Sequence, residues 1–185
     1  MLRTRASGFT LVELLIGLGI AALLMVLALP SFALWIADSQ IRAAAESIAT
    51  GLRYAQGEAI KRNSQVAFTI DPTTGTGGWT TTLVMDGSTL QGAAFAEGAG
   101  KVKPTAVPLG STTVTFTGLG QIGPNAVGAT LTEVDLTSST GIAGTRDLNV
   151  LVGGGASGVA GQGNRTGIKI CDPKWPATDP KGCPG

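Results

Sequence analysis

Glu13 is the residue whose type and position most strongly suggest chemistry. It precedes a run, residues 14–36, that contains no charged side chain. Such a run can cross a bilayer core of about 30 Å, because a helix rises about 1.5 Å per residue. A carboxylate at the edge of that run is costly unless it is paired or reaches the headgroup layer. The sequence therefore predicts either an ion-pairing role for Glu13 or a carboxylate that snorkels to the interface.

The charges before this run predict its orientation. Arg3 and Arg5 precede it and no acid accompanies them, so the positive-inside rule keeps the N-terminus cytoplasmic and exports the rest. A cleaved secretory signal is the alternative, but its apolar core is only about 7 to 15 residues long. The longer run here predicts a single-pass membrane protein whose C-terminal domain is exported across the membrane.

The composition gives little support for catalysis. The chain has no histidine and two cysteines, so it lacks the commonest general base and cannot build a tetrahedral thiolate site. Residues 153–158 satisfy the pattern G-x-G-x-x-G after a predicted strand. However, residues 159–164 are too rich in glycine to begin the helix that would face a pyrophosphate. We expect no enzyme, cofactor or metal, and we interpret this segment as a flexible loop.

Residues 8–13, with the sequence GFTLVE, resemble the processing motif of type IV pilins and type II secretion pseudopilins. The resemblance implies that a prepilin peptidase cleaves after Gly8 and methylates the new amine of Phe9. It also implies that Glu13 is essential for assembly, and the Phe9 amine of a neighbouring subunit would be a partner for its carboxylate. Pro30 falls where these proteins usually have a helix-bending proline, and the loss of its hydrogen bond independently predicts a bend.

The segment after residue 36 is predicted to continue the helix out of the membrane. Apolar residues recur there every three or four positions, at Ile41, Ala45, Ile48, Leu52, Ala55 and Ala59, which predicts one buried face. Asn63 and Ser64 are predicted to end the helix, and residues 66–70 alternate as in a half-buried strand. Further strands are predicted at 79–85, 112–117, 129–136, 146–152 and 167–171.

These elements predict an α+β fold in which a long N-terminal helix, membrane-spanning in its first half, packs on a small antiparallel β-sheet domain. We divide the chain into four segments: a cytoplasmic leader at 1–8, a transmembrane helix at 9–36, its amphipathic continuation at 37–64, and an exported β domain at 65–185. The segment at 61–66, Trp79, and residues 114–116 before Gly118 are similar to the GspH/FimT branch of the pilin-like family. This second resemblance implies a minor subunit.

Cys171 and Cys183 lie on the predicted exported side, where a disulfide is the natural expectation. Closing this short loop would contribute about 2 to 3 kcal/mol. Four cations lie nearby, at Arg165, Lys169, Lys174 and Lys181, and could contact phosphates. Some FimT-like minor pilins bind DNA through an arginine-rich C-terminal motif, but residues 163–169 here contain one arginine. We favour solvated surface charges, with Arg165 and Lys169 as the possible DNA contacts.

The function predicted from these features is assembly rather than catalysis. We expect a minor type IV pilin-like subunit of a pilus or secretion pseudopilus, processed by prepilin peptidase and assembled with other pilin or pseudopilin subunits. An H-type pseudopilin of a type II secretion system and a DNA-binding minor pilin for natural transformation are the alternatives.

Overall fold

The computed structural model describes residues 10–141, 144–153 and 167–183. The chain divides into two compact units, residues 1–36 and 37–185. A single helix, α1, runs from Leu11 to Arg62 and contributes to both. Within the first unit, residues 11–29 form the one described helical segment that is long and apolar enough to cross a membrane. Helix α1 includes position 30, and the bend predicted at Pro30 stays a prediction.

In the second unit, α1 buries the face that the sequence periodicity predicts. All six of the apolar residues named for this face are buried, and none exposes more than 1% of its surface. They belong to one hydrophobic cluster that also contains Phe68, Phe116, Val134 and Val150 from the β-strands. This half of the helix therefore owes its burial to the strands that follow it in the chain.

Helix α1 ends at the predicted position. Asn63 adopts a left-handed conformation with φ of 48°. Its N–H donates to the carbonyl of Ile60 at 3.2 Å, and the N–H of Ser64 donates to the carbonyl of Ala59 at 3.1 Å. These two bonds form a Schellman cap, which satisfies carbonyls that the helix end leaves open. Gly118 lies against this turn so closely that a Cβ there would be 2.6 Å from Asn63 Oδ1.

Within the described part of the chain, nine strands form two antiparallel sheets. The first sheet has the order β3-β2-β1-β5-β6 and the second has the order β4-β7-β8-β9. The strands are β1 Val66–Asp71, β2 Gly78–Leu83, β3 Thr89–Ala94, β4 Val102–Val107, β5 Thr113–Phe116, β6 Ile122–Gly123, β7 Glu133–Ser138, β8 Leu148–Val152 and β9 Ile168–Cys171. The predicted fold class, α+β with antiparallel strands against the helix, is confirmed.

The structure differs from the prediction in the number of sheets and strands. Six strands are found close to their predicted positions, whereas β3, β4 and β6 are not predicted. Strand β3 is mostly exposed, so it lacks a buried alternating face. Strand β4 carries Pro104 at the edge of its sheet, where the missing N–H costs no ladder bond. Strand β6 has only two residues.

The two glycines of α1 have different surroundings. Gly51 is buried, and a Cβ there would lie 2.7 Å from the ring of Trp79, whereas a Cβ at Gly57 meets nothing within 4 Å. The indole of Trp79 is also held by its N–H, which donates to Ser47 Oγ at 3.0 Å. Gly51 is therefore required by the approach of β2 to the helix, while Gly57 is not required by packing.

Alanine substitutions at these two glycines should have opposite effects. Gly57→Ala should raise the free energy of unfolding by about 0.5–1 kcal/mol, because alanine is the better helix former. Gly51→Ala gains the same propensity but overpacks the core, which costs about 1–3 kcal/mol, so we expect a net loss. Urea unfolding of the full chain in detergent, followed by far-UV circular dichroism, measures both. Equal stabilisation by the two substitutions would contradict the contact with Trp79.

Glu58 holds the last turn of α1 together. The Nε of Arg62 lies 2.7 Å from Glu58 Oε2, and the Nζ of Lys61 lies 3.1 Å from Oε1. The hydrogen bond from Arg62, followed by that from Lys61, lowers the pKa of Glu58 below its usual value of 4.5. The ionised carboxylate is thus favoured in the folded chain, beside the turn at Asn63.

This lowered pKa predicts a pH-dependent contribution to stability. A carboxyl group whose pKa is lower in the folded than in the unfolded chain stabilises the fold above its ordinary pKa, and this stabilisation is lost as the pH falls through the folded value. Glu58→Gln should therefore lower the melting temperature at pH 7 and lower it much less at about pH 3. Glu97→Gln is the control, since Glu97 makes no ion pair with a described residue. A deficit that is the same at both pH values would contradict the assignment.

Candidate functional site

The first turn of α1 places Glu13 through a local cap. The N–H of Glu13 donates to the side-chain oxygen of Thr10 at 3.2 Å, and α1 begins at Leu11. Thr10 is therefore the N-cap and Glu13 the third helical residue, which is the spacing of a capping box. A carboxylate in the first turn also interacts favourably with the helix dipole. The sequence analysis missed this role of Thr10, although the Thr-x-x-Glu spacing signals it.

The other predicted processing residues cannot be placed beside Glu13. Gly8 and Phe9 lie outside the described residues, so cleavage after Gly8 and pairing of Glu13 with a neighbouring Phe9 stay predictions. What the structure does show is a capped start to the helix next to the predicted cleavage point. The Glu13 backbone is held by Thr10, so the direction in which its side chain leaves the helix is set by the first turn.

No described residue of the first unit covers the apolar half of α1. Large aliphatic side chains from Leu11 to Leu29 are more than half exposed, although water would disfavour such a continuous surface. The acyl chains of a bilayer or the helices of other subunits could cover this apolar surface. The segment is therefore built for contact with apolar surroundings outside the chain.

The C-terminal segment is closed by the predicted disulfide. Cys171 and Cys183 are bonded, with their Cα atoms 5.0 Å apart. The N–H of Asp172 donates to the carbonyl of Lys181 at 2.8 Å, and Lys169 Nζ donates to the carbonyl of Gly182 at 2.8 Å. The tail is thus folded back along the end of β9 by one covalent and two polar links.

The cations near this loop are engaged within the chain. Besides the bond from Lys169, Lys174 Nζ donates to the carbonyl of Thr145 at 2.9 Å and lies 4.0 Å from Asp147 Oδ2. Lys181 Nζ lies 5.6 Å from the centre of the Trp175 ring, within the range of a cation–π contact. Arg165 lies outside the described residues. The three lysines make contacts in and around the loop, and the ammonium group of Lys169 is bonded to the carbonyl of Gly182.

A cleft of about 330 Å³ lies between α1, the second sheet and the disulfide loop. Its lining includes three basic residues and two acidic ones, together with Trp175; the charged residues are Arg42, Arg146, Lys181, Glu46 and Asp172. The cleft therefore carries charges of both signs. Among the described residues, no group of three or more histidine, cysteine or acidic side chains could hold a metal ion.

Strand β7 carries two neighbouring carboxyl groups, Glu133 and Asp135, which belong to no metal-binding group of three among the described residues. Glu133 Oε1 accepts a bond from Asn149 Nδ2 at 2.6 Å. Burial, followed by the charge of the neighbouring Glu133, raises the pKa of Asp135 above its usual value. The repulsion between these two carboxyl groups on the second sheet is locally unfavourable.

The glycine-rich pattern at 153–158 lies in a context unsuited to a dinucleotide. Only Gly153 of this pattern is described, and its N–H donates to the carbonyl of Gly167 at 3.0 Å. Strand β8 pairs antiparallel with β9, so the segment connects adjacent antiparallel strands. A dinucleotide turn instead joins a strand to a helix within a parallel βαβ unit. The predicted loop itself, residues 154–166, lies outside the described residues.

Comparison with known proteins assigns the family. The family described as type II transport protein GspH matches residues 44–155, which is more than half of the chain. This chain belongs to the GspH family. The prokaryotic N-terminal methylation motif matches residues 3–29, the segment that contains Thr10 and Glu13. The chain is therefore a pilin-like subunit of a pilus or pseudopilus.

Two solved structures resemble the fold of this GspH-family chain. Both are crystal structures of the type IV minor pilin FimU from Pseudomonas aeruginosa strain PAO1, in two crystal forms. The first shows 20% identity and a TM-score of 0.47, covering 77% of this chain and 94% of that chain. The second shows 19% identity and a TM-score of 0.46, covering 77% and 98%. No curated protein sequence matches the chain.

The family assignment carries general consequences for the sites described above. Pilin and pseudopilin families are structural subunits that assemble with others of their kind and are processed at the N-terminal methylation motif. The apolar helix and the motif fit a membrane-anchored subunit. The exposed surface of residues 11–29 and Glu13 both lie within the segment that the methylation motif matches.

Removing the disulfide should weaken the second unit measurably. The two cysteines are 12 positions apart, and opening a loop of this length costs about 3 kcal/mol of stability by relaxing the unfolded chain. The variant Cys171→Ser/Cys183→Ser should therefore show a lower urea midpoint in detergent. Reductant should lower the midpoint of the native chain and leave that of the double variant unchanged. A native midpoint that is insensitive to reductant would contradict a stabilising role.

Proposed function

We propose that this chain is a minor subunit of a type IV pilus or a type II secretion pseudopilus that acts by assembly and not by catalysis. The observation that carries the proposal is the methylation motif at residues 3–29 continuing into a capped, apolar helix with an exposed surface. The family supports assembly over catalysis, because pilin and pseudopilin families are structural subunits.

The first step of the proposed function is processing by a prepilin peptidase. Cleavage after Gly8 would remove Arg3 and Arg5 with the leader and leave Phe9 as a methylated N-terminus. Helix α1 begins two residues later, at Leu11. The new amine would thus stand at the start of a helix whose cap, Thr10, remains in the mature chain.

The second step is the alignment of neighbouring subunits along the filament. The carboxylate of Glu13 would pair with the Phe9 amine of a neighbouring subunit, because a charge in apolar surroundings is strongly favoured when a partner neutralises it. The hydrogen bond from the Glu13 N–H to Thr10 supports this role by defining the turn from which the carboxylate projects. A snorkelling carboxylate would need no such neighbour.

The proposed location is the bacterial inner membrane, with the second unit in the periplasm before assembly. The basic residues ahead of the span support this orientation. The Cys171–Cys183 disulfide supports it independently, since disulfides persist in oxidising compartments. The second unit would then become the exported surface of the filament.

The family description as a type II transport protein favours a secretion pseudopilus as the second candidate beside the pilus. If deletion of the gene removes surface filaments, the chain belongs to a pilus. If deletion instead blocks the export of a secreted protein, the chain belongs to a secretion pseudopilus. The DNA-binding alternative stays a prediction, since Lys169 bonds to the carbonyl of Gly182 and Arg165 lies outside the described residues. The pilus and pseudopilus candidates share the same apolar N-terminal segment.

Replacing Glu13 tests the assembly step directly. Glu13→Ala should reduce incorporation into sheared filaments by at least about tenfold, because leaving one charge of a buried pair unpaired costs about 3–5 kcal/mol. Glu13→Gln separates charge from size and should fail in the same way. Thr10→Ala keeps the carboxylate but loses the cap, so we expect a smaller defect. Immunoblots compare filament and membrane fractions.

The membrane fraction provides the control for this test. Each variant should insert at the level of the native chain, because the apolar span is unchanged. Native incorporation by Glu13→Gln would sink the pairing role, whatever the result for Thr10→Ala.

A further inference from the structure

Two aromatic side chains mark the end of the apolar span. The rings of Phe32 and Trp35 are stacked, with centroids 5.9 Å apart and planes inclined by 26°. They lie three residues apart on α1 and so share one face of the helix. The side chains remain 58% and 65% exposed, and they follow directly after the span that ends at Leu29. The two rings therefore contact each other, but no other described residue of the first unit covers them.

The side chain of Trp35, which carries an indole N–H donor, is largely exposed among the described residues. Tryptophan is enriched at membrane interfaces because its apolar ring can be buried while its N–H finds an acceptor. The carbonyl and phosphate oxygens of lipid headgroups supply such acceptors. The helix of a neighbouring subunit could cover the rings, but its backbone carbonyls are already bonded along the helix.

The spacing between Trp35 and Glu13 matches one bilayer core. Twenty-two positions separate the two residues on α1, which corresponds to a rise of about 33 Å against a hydrocarbon core of about 30 Å. A helix that holds Trp35 at the headgroups of one leaflet therefore holds Glu13 at the opposite boundary. At that depth the carboxylate stays accessible to an amine at the same level.

We infer that Phe32 and Trp35 bind the headgroup region of the periplasmic leaflet and thereby position Glu13 at the cytoplasmic boundary before assembly. The inference rests on the proposed membrane insertion and adds the residues that determine its depth. Phe32 and Trp35 are positioning residues, since they act on Glu13 through the helix and make no contact with its partner.

Fluorescence quenching in vesicles tests the first half of the inference. The full chain is reconstituted at low density into phosphatidylcholine and phosphatidylglycerol vesicles that contain lipid brominated either near the headgroup or near the chain end. Trp35→Phe is the matched control, because it keeps an aromatic ring and leaves only Trp79 and Trp175 as emitters. The difference between the two proteins reports Trp35 alone.

Quenching of Trp35 by the shallow bromines should exceed quenching by the deep bromines by about twofold or more if the ring lies at the interface. Equal or stronger quenching by the deep bromines would overturn the inference. So would an inserted chain whose Trp35 neither bromolipid quenches, since that result places the ring in water or against another subunit. A chain that fails to float with the vesicles after an alkaline wash would instead contradict the proposed function.

Depth at the other end of the helix tests the positioning of Glu13. A nitroxide is attached to Val12→Cys, with Cys171 and Cys183 protected by their disulfide, and its collisions with an aqueous nickel chelate are measured. Phe32→Leu/Trp35→Leu keeps an apolar surface but removes the preference for headgroups, so the segment should sink and push position 12 outward. We expect the collision rate to rise by about twofold.

The exchanged pair Phe32→Trp/Trp35→Phe is the matched control, because it keeps both rings. Its collision rate should equal that of the native pair. An unchanged rate in the leucine variant would show that the aromatic pair does not position Glu13, even if Trp35 itself lies at the interface.

Discussion

The structure depends on how the apolar surface of one helix is covered. From Ile41 to Ala59, the apolar face of α1 is buried by strands of both sheets in a single cluster. From Leu11 to Leu29, the same helix offers an apolar surface with no cover inside its unit. Because exposing such a surface to water is unfavourable, its cover has to come from lipid or other subunits. The family assignment to pilin-like subunits is consistent with both kinds of cover.

The end of the helix controls how the second unit begins. The Schellman cap at Asn63 reverses the chain so that β1 starts at Val66, and Gly118 permits β5 and its turn to approach this reversal. The carboxylate of Glu58 forms ion pairs with both Lys61 and Arg62 in the same turn. Because β1 is the central strand of the first sheet, a change at this turn would be transmitted to strands on both sides.

The two ends of the described chain use polar groups differently. At the N-terminal end, the side-chain oxygen of Thr10 caps the helix by accepting a hydrogen bond from the backbone N–H of Glu13. At the C-terminal end, Lys169 and Lys174 bond to backbone carbonyls around the disulfide loop. A carbonyl that would otherwise be left without a donor is costly, so these lysines stabilise the loop. The difference agrees with an assembly role for the first end and a structural role for the second.

The sequence by itself determined the features that depend on local patterns. The charge-free run, the periodic face of α1, its end at Asn63 and six strands all follow from spacings of a few residues, and two nearby cysteines suffice to predict the disulfide. Tertiary structure decided the division into two sheets, the exposed strand β3, the edge strand β4 with Pro104, and the contact between Gly51 and Trp79. It also decided that Lys169 bonds to Gly182. Each of these depends on a partner distant in the chain or on the path of a loop, and a short pattern carries no record of which distant segments will meet.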